Sequence, residues 1–158
     1  MLNVRIIAVG KMKFYTDAAK EYEKRLNGSV KLEIREIPEY RLPVEPSDAD
    51  IVNALSQESA QILKNLPERA FVFAMCIEGK MLSSEELAEV FADIPLRGIS
   101  QVCFVIGGSF GLHDSVKSRA DMRLSMSRMT FPHHLARVML LEQIYRVATI
   151  NSGLRYHK

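Results

Sequence analysis

Cysteine is scarce in this 158-residue chain, and its only two, Cys76 and Cys103, lie inside apolar runs, FVFAMCI and QVCFVI. A disulfide-stapled scaffold is thereby excluded, and buried thiols point to a reduced, cytoplasmic protein. No secretory-type leader precedes the first strand-like segment, in line with that expectation. Long hydrophobic runs are missing as well: none approaches the roughly 18 residues of a membrane span. The opening run from Met1 to Gly10 is broken by Asn3 and Arg5, so no membrane role is expected. The chain also lacks a P-loop and a G-x-G-x-x-G fingerprint in register, which disfavours ordinary nucleotide hydrolysis and nicotinamide binding, and neither cysteine has a basic neighbour in sequence that would make it a nucleophile. No metal is expected either. His133 and His134 follow Pro132, but neighbouring helical residues should point in different directions, and no Cys or carboxylate stands at i+4 from either.

What is present is a composition of 47% hydrophobic and 25% charged residues, that of an ordinary globular domain. A single domain over 1–158 is expected, large enough to bury a core without staples. The net charge of +2 conceals an asymmetry. Residues 1–116 carry 13 Lys/Arg against 17 Asp/Glu, whereas residues 117–158 carry 8 against 2, a net of +6 in the last quarter. Such a concentration attracts a phosphate backbone, although a solvated helix face has the same composition.

Strand-like and helix-like segments alternate. Leu2–Val9 reads as a strand, and Tyr15, Ala19, Tyr22 and Leu26 recur at helical spacing. Val30, Leu32 and Ile34 then alternate with charged residues, and Pro38, Pro43 and Pro46 mark a long surface loop. Ser47 with Asp50 and Ser83 with Glu86 have capping-box spacing, each opening a helix. Ala70–Cys76 and Gln101–Ile106 are continuously apolar, as strands covered on both faces are. A short helical stretch over 113–120 follows, and then a short last strand in which Met122, Leu124 and Met126 alternate. From His133 to Ile150 the chain is apolar nearly all round, which implies a helix covered on more than one side. The class expected is therefore α/β, a largely parallel sheet flanked by helices.

In such sheets ligands bind beyond the carboxyl ends of the strands. IGGSFG, Ile106–Gly111, is one candidate, although a plain tight turn would use the same glycines; SMSRMTF, Ser125–Phe131, is a second irregular segment after a strand. Glu142 and Arg146 at i,i+4 match an ordinary helical ion pair as well as a functional one. These features leave open an α/β enzyme using a nucleotide cofactor and a non-enzymatic RNA-binding module.

The strings FVIGGSFGL, LSMSRMTFPHHLARVMLLEQIYR and the terminal YHK, with AVGK, EYEKRL and IEGKMLSSEELA before them, resemble the RlmH family of ribosomal RNA methyltransferases in the SPOUT superfamily. The similarity extends over nearly the whole chain. Leu154-Arg155 departs from the family's pattern, in which proline often precedes Tyr-His, and this bears on the rigidity of the tail. The resemblance implies a SPOUT fold with a C-terminal trefoil knot. It also implies transfer of a methyl group from S-adenosylmethionine to N3 of a pseudouridine in large-subunit (23S) rRNA, on assembled ribosomes.

The matching positions imply a cofactor pocket of Met75, Gly107, Met126, Ser127, Arg128, Met129, Thr130 and Phe131. A Gly107→Val side chain is expected to obstruct the cofactor while sparing the fold. Methyl transfer from a sulfonium has a neutral leaving group and needs no metal, but the imide N3 is a poor nucleophile while protonated. His133, Arg137, Arg146 and His157 are the residues suited to remove that proton or to stabilise the anion. Arg155, Tyr156, His157 and Lys158 suit substrate contact, and a homodimer is expected in which one subunit's tail completes its partner's site. The apolar girth of the last helix is the sequence-level reason for a dimer.

Overall fold

Alternating side chains on parallel strands divide the core in two. The computed structural model describes residues 1–156. Its strands are β1 (Asn3–Val9), β2 (Lys31–Ile37), β3 (Ala70–Met81), β4 (Gln101–Ile106) and β5 (Met122–Ser125). They form one sheet of order β2-β1-β4-β3-β5 with every pairing parallel. Val4, Ile6 and Ala8 of β1, Phe71 and Phe73 of β3, and Val102, Phe104 and Ile106 of β4 face one side. Ile7, Val9, Val72, Ala74, Cys103 and Val105 face the other. Burial of the three central strands on both faces accounts for their unbroken apolar runs.

Helices α1 (Thr16–Leu26), α3 (Ser84–Asp93) and α5 (His133–Asn151) cover the first face, with α5 between the other two. Phe73 and Phe104 stack at 4.6 Å beneath them, and Phe91 of α3 lies 6.0 Å from Phe104. The second face is covered by α2 (Asp48–Asn65) and the short α4 (Asp114–Arg119). Both capping boxes form in full. Ser47 Oγ accepts from the Asp50 N–H at 3.1 Å while Asp50 accepts from the Ser47 N–H at 2.9 Å, and Ser83 and Glu86 repeat the exchange. Helix α5 ends in a Schellman motif: Leu154 N–H donates to the Thr149 carbonyl, Gly153 N–H to that of Ile150, and Gly153 has φ +70°.

Strand β3 runs to Met81, beyond Cys76, because it continues as the partner of β5. Its register shifts between Met75 and Lys80. Gly79 permits this, since a methyl group there would lie 2.7 Å from the Leu124 backbone. The dimer argument from α5 also changes. No residue from His133 to Ile150 is exposed in the single chain, because α1 and α3 flank the helix and cover sides that the sequence pattern assigned to a second subunit.

Candidate active site

The sheet order decides which loops meet. Met75 pairs with Ile106 on one side and Leu124 on the other, so Met75, midway along β3, is level with the carboxyl end of β4, where Gly107 follows, while Met126 lies just beyond the end of β5. Met75 and Met126 are half-buried against the core, and Gly107 is buried. The segment after β5 is ordered by its own serines: Ser125 Oγ donates to the Ser127 carbonyl at 2.9 Å, and Met129 N–H donates to Ser127 Oγ at 3.0 Å. Arg128, Met129 and Thr130 are exposed, whereas Ser127 and Phe131 are half-buried. The two loops thus place thioether walls beside irregular backbone, a combination suited to an apolar ring with polar edges.

The glycines after β4 have a reason of their own. Gly111 N–H donates to the Gly108 carbonyl at 3.1 Å, and Gly111 has φ +79°. A Cβ on Gly107 would lie 2.2 Å from the Gly111 carbonyl oxygen. This corrects the expectation for Gly107→Val: the added side chain collides first with its own loop, so the turn itself would be distorted.

On the other side of the glycine turn, His133, the first residue of α5, approaches the end of β1. A methyl group on Gly10 would lie 3.9 Å from His133 Nε2 and 3.8 Å from Glu39 Oε2, and one on Gly108 would lie 3.4 Å from Glu39 Oε1. His133 Nε2 is buried and lacks a hydrogen-bond partner among the described residues. Burial holds its imidazole below the ordinary histidine range, Glu39 opposes that shift, and Arg137 and Lys13 add to it. Burial therefore favours the neutral ring, which has one proton-accepting nitrogen. The His133 and His134 rings lie 4.0 Å apart, which corrects the expectation that they diverge. At the first turn of the helix no preceding turn holds the two rings apart.

The four residues proposed for catalysis do not form one cluster. Arg137 is 3% exposed and is engaged structurally, donating to Glu36 Oε2 at 2.7 Å and to the Gly10 carbonyl at 2.8 Å. It ties α5 to the ends of β1 and β2. Arg146 lies roughly 20 Å from His133 along the helix. It pairs with Glu142 at 2.7 Å and packs over the Tyr156 ring at 4.9 Å. Tyr156 in turn donates to Glu142 Oε1 at 3.2 Å and meets the Tyr145 ring edge-on at 4.7 Å. Arg155 is exposed, and His157 and Lys158 lie outside the described residues.

The basic last quarter is also less available than its count suggests. Lys117 pairs with Glu78, Arg119 with Asp121, Arg137 with Glu36 and Arg146 with Glu142. Residues that sequence reasoning passed over, Glu39, Tyr40 and Glu58, shape the loop after β2. The buried Glu58 carboxyl group accepts from the Tyr40 N–H at 3.1 Å. Only the prolines signalled that loop in the sequence. Among the described residues no group of three His, Cys, Asp or Glu gathers as a metal site, and no helix is long and apolar enough to cross a membrane.

The chain that forms this all-parallel sheet, with a glycine turn and a second irregular loop at its carboxyl edge, matches the family model described as "Predicted SPOUT methyltransferase" over residues 2–157 and belongs to that family of methyltransferases. Within it, the chain is 44% identical over 160 residues to ribosomal RNA large subunit methyltransferase H of Oenococcus oeni (strain ATCC BAA-331 / PSU-1), covering all of both chains. It is 46% identical over 159 residues to the proteins of that name from Clostridioides difficile (strain 630) and Clostridium novyi (strain NT), covering 99% of this chain and 100% of each relative. A solved structure of a probable methylase family protein from Haemophilus influenzae Rd KW20 shares the fold, with a TM-score of 0.55 at 13% identity, over 99% of this chain and 70% of that one.

Proposed function

We propose that this protein is a cytoplasmic, S-adenosylmethionine-dependent methyltransferase that modifies N3 of a pseudouridine in large-subunit (23S) ribosomal RNA, acting as a homodimer on assembled ribosomes. The observation that carries the reading is full-length identity of 44–46% to three ribosomal RNA large subunit methyltransferases H. When bound, S-adenosylmethionine supplies an electrophilic methyl group. Met75 and Met126 would flank its apolar parts, with the backbone after Gly107 and from Ser127 to Phe131 meeting its polar edges. Their grouping on three adjacent strands, level with the end of β4, supports that assignment. A knot formed by threading of the C-terminal segment belongs to the same reading.

His133 is assigned to accept the N3 proton, because its ring is neutral and its Nε2 is unpaired. Arg137 acts indirectly, holding the first turns of α5 against Gly10 and Glu36. Arg146 and the tail sit too far along α5 to share a site with the same chain's His133. Their service in catalysis requires a second subunit, which is the physical argument for a site shared across a dimer.

The test is transfer of labelled methyl from S-adenosylmethionine to assembled ribosomes, with the product nucleotide identified by mass spectrometry. N3-methylpseudouridine in large-subunit rRNA is expected, together with poor labelling of short free stem-loops. Absence of transfer to ribosomes, or methylation of another atom, would overturn the assignment.

A further inference from the structure

We infer that the cleft between the β1–α1 and β2–α2 loops receives the unpaired RNA around the acceptor nucleotide. Lys11, Lys13 and Arg41 meet its phosphates, and Phe14 and Tyr40 stack on its bases. This rests on the rRNA methyltransferase reading and specifies which surface of the site faces the nucleic acid.

The sheet order provides the first argument. The glycine turn follows β4, the middle strand; the residues assigned to the cofactor lie on its β3/β5 side, and the cleft lies on its β1/β2 side. The cleft has a volume of about 770 Å³ and extends from Gly10 to Phe110 and His134. The cleft thus reaches Phe110 of the glycine turn and His134, the residue after His133 on α5.

Charge provides the second. Lys11, Lys13 and Arg41 line the cleft and are exposed. Two carboxylates line it too. Glu36 is already engaged by Arg137 and by the Met12 N–H, and Glu39 lies against Gly10 and Gly108 at the inner end. The outer rim is therefore cationic, as a phosphate backbone requires. The last quarter of the chain, by contrast, has four of its cations engaged by carboxylates.

The third argument is Phe14, which does not line the cleft but directly follows the cleft-lining Lys13 on the β1–α1 loop. Its φ is +65°, a region that bulky residues rarely adopt, at the centre of a three-residue turn closed by Tyr15 N–H donating to the Lys13 carbonyl at 2.8 Å. The ring is 93% exposed, so burial gives no return for the unfavourable backbone. Tyr40 is 43% exposed at the cleft wall, with its backbone fixed by Glu58. Aromatic faces interleaved with cations suit unpaired RNA, because every base has a stacking face. A protein partner would gain little from the scattered lysines.

The test uses the full-length protein with Lys11→Glu/Lys13→Glu and, separately, Phe14→Gly. Glycine tolerates the positive φ, so the second variant should fold at least as well as the parent. Expected for the charge reversal are a tenfold or greater rise in KM for ribosomes and a fall of about one to two in the log–log salt slope of RNA binding. Phe14→Gly should weaken RNA binding by about tenfold with its thermal midpoint unchanged or raised. Calorimetric affinity for S-adenosylmethionine and sedimentation mass should match the parent in both.

Parental KM and salt slope in the variants would overturn the proposal. Loss of cofactor affinity would assign the cleft to the cofactor, and a changed mass would assign it to a subunit contact; either result also rejects it. If the parent transfers no methyl group, the enzymatic reading fails, and the cleft is then judged by RNA binding alone.

Discussion

At the residue scale the proposed chemistry turns on one buried imidazole. His133 is held below its ordinary range by burial, and its Nε2 lacks a partner among the described residues. A base whose pKa is lowered keeps its proton-accepting form to lower pH, so the acidic limb of kcat/KM is expected below about 6.5. His133→Asn should reduce methyl transfer by roughly 100- to 10,000-fold while leaving cofactor affinity near that of the parent. A parental rate, or an acidic limb unmoved by the substitution, would remove His133 from the reaction. The same depressed pKa has a stability consequence. Folding favours the neutral ring, so its contribution is complete above the unfolded value and declines as pH falls below it.

At the element scale the glycine turn after β4 is a structural unit before it is a binding loop. The Gly108–Gly111 hydrogen bond and the 2.2 Å approach of a Gly107 Cβ to the Gly111 carbonyl leave no room for a side chain. Gly107→Ala is therefore expected to lower stability by about 1–3 kcal/mol in urea unfolding and to weaken S-adenosylmethionine binding in parallel. A stable variant with selectively lost binding would mean that Gly107 faces the ligand directly. This distinction was not legible in IGGSFG itself, since glycine spacing does not reveal which atom approaches the missing Cβ. The helix starts at Ser47 and Ser83 were legible, because a capping box is a local exchange between residues three apart.

At the scale of the whole molecule, the separation between His133 and the Arg146–Tyr156 cluster sets the prediction. Tyr156 rests on Glu142, Tyr145 and Arg146 of its own helix. If the tail serves a partner's site, a His133→Asn subunit supplies the intact tail and a subunit lacking residues 154–158 supplies the intact base. Each should be inactive as a homodimer, and mixing with demonstrated exchange should restore one complete site per heterodimer. Exchange without recovered activity would exclude the shared arrangement. The proposal of a dimer rests on this separation, since α1 and α3 already cover the flanks of α5.

The sequence by itself determined the local structure and the family: strands from period and apolar runs, two helix starts from capping boxes, and the motif strings of a SPOUT methyltransferase. These are short-range or directly comparable properties of the chain. Only the tertiary structure decided that β4 lies between β1 and β3, which brings Gly10 and Gly108 beside His133 and Glu39. It likewise decided that Arg137, counted as a cation in the sequence, is buried against Glu36 101 positions away. Strand order and long-range pairing depend on how whole faces are covered, and no window of sequence contains both partners.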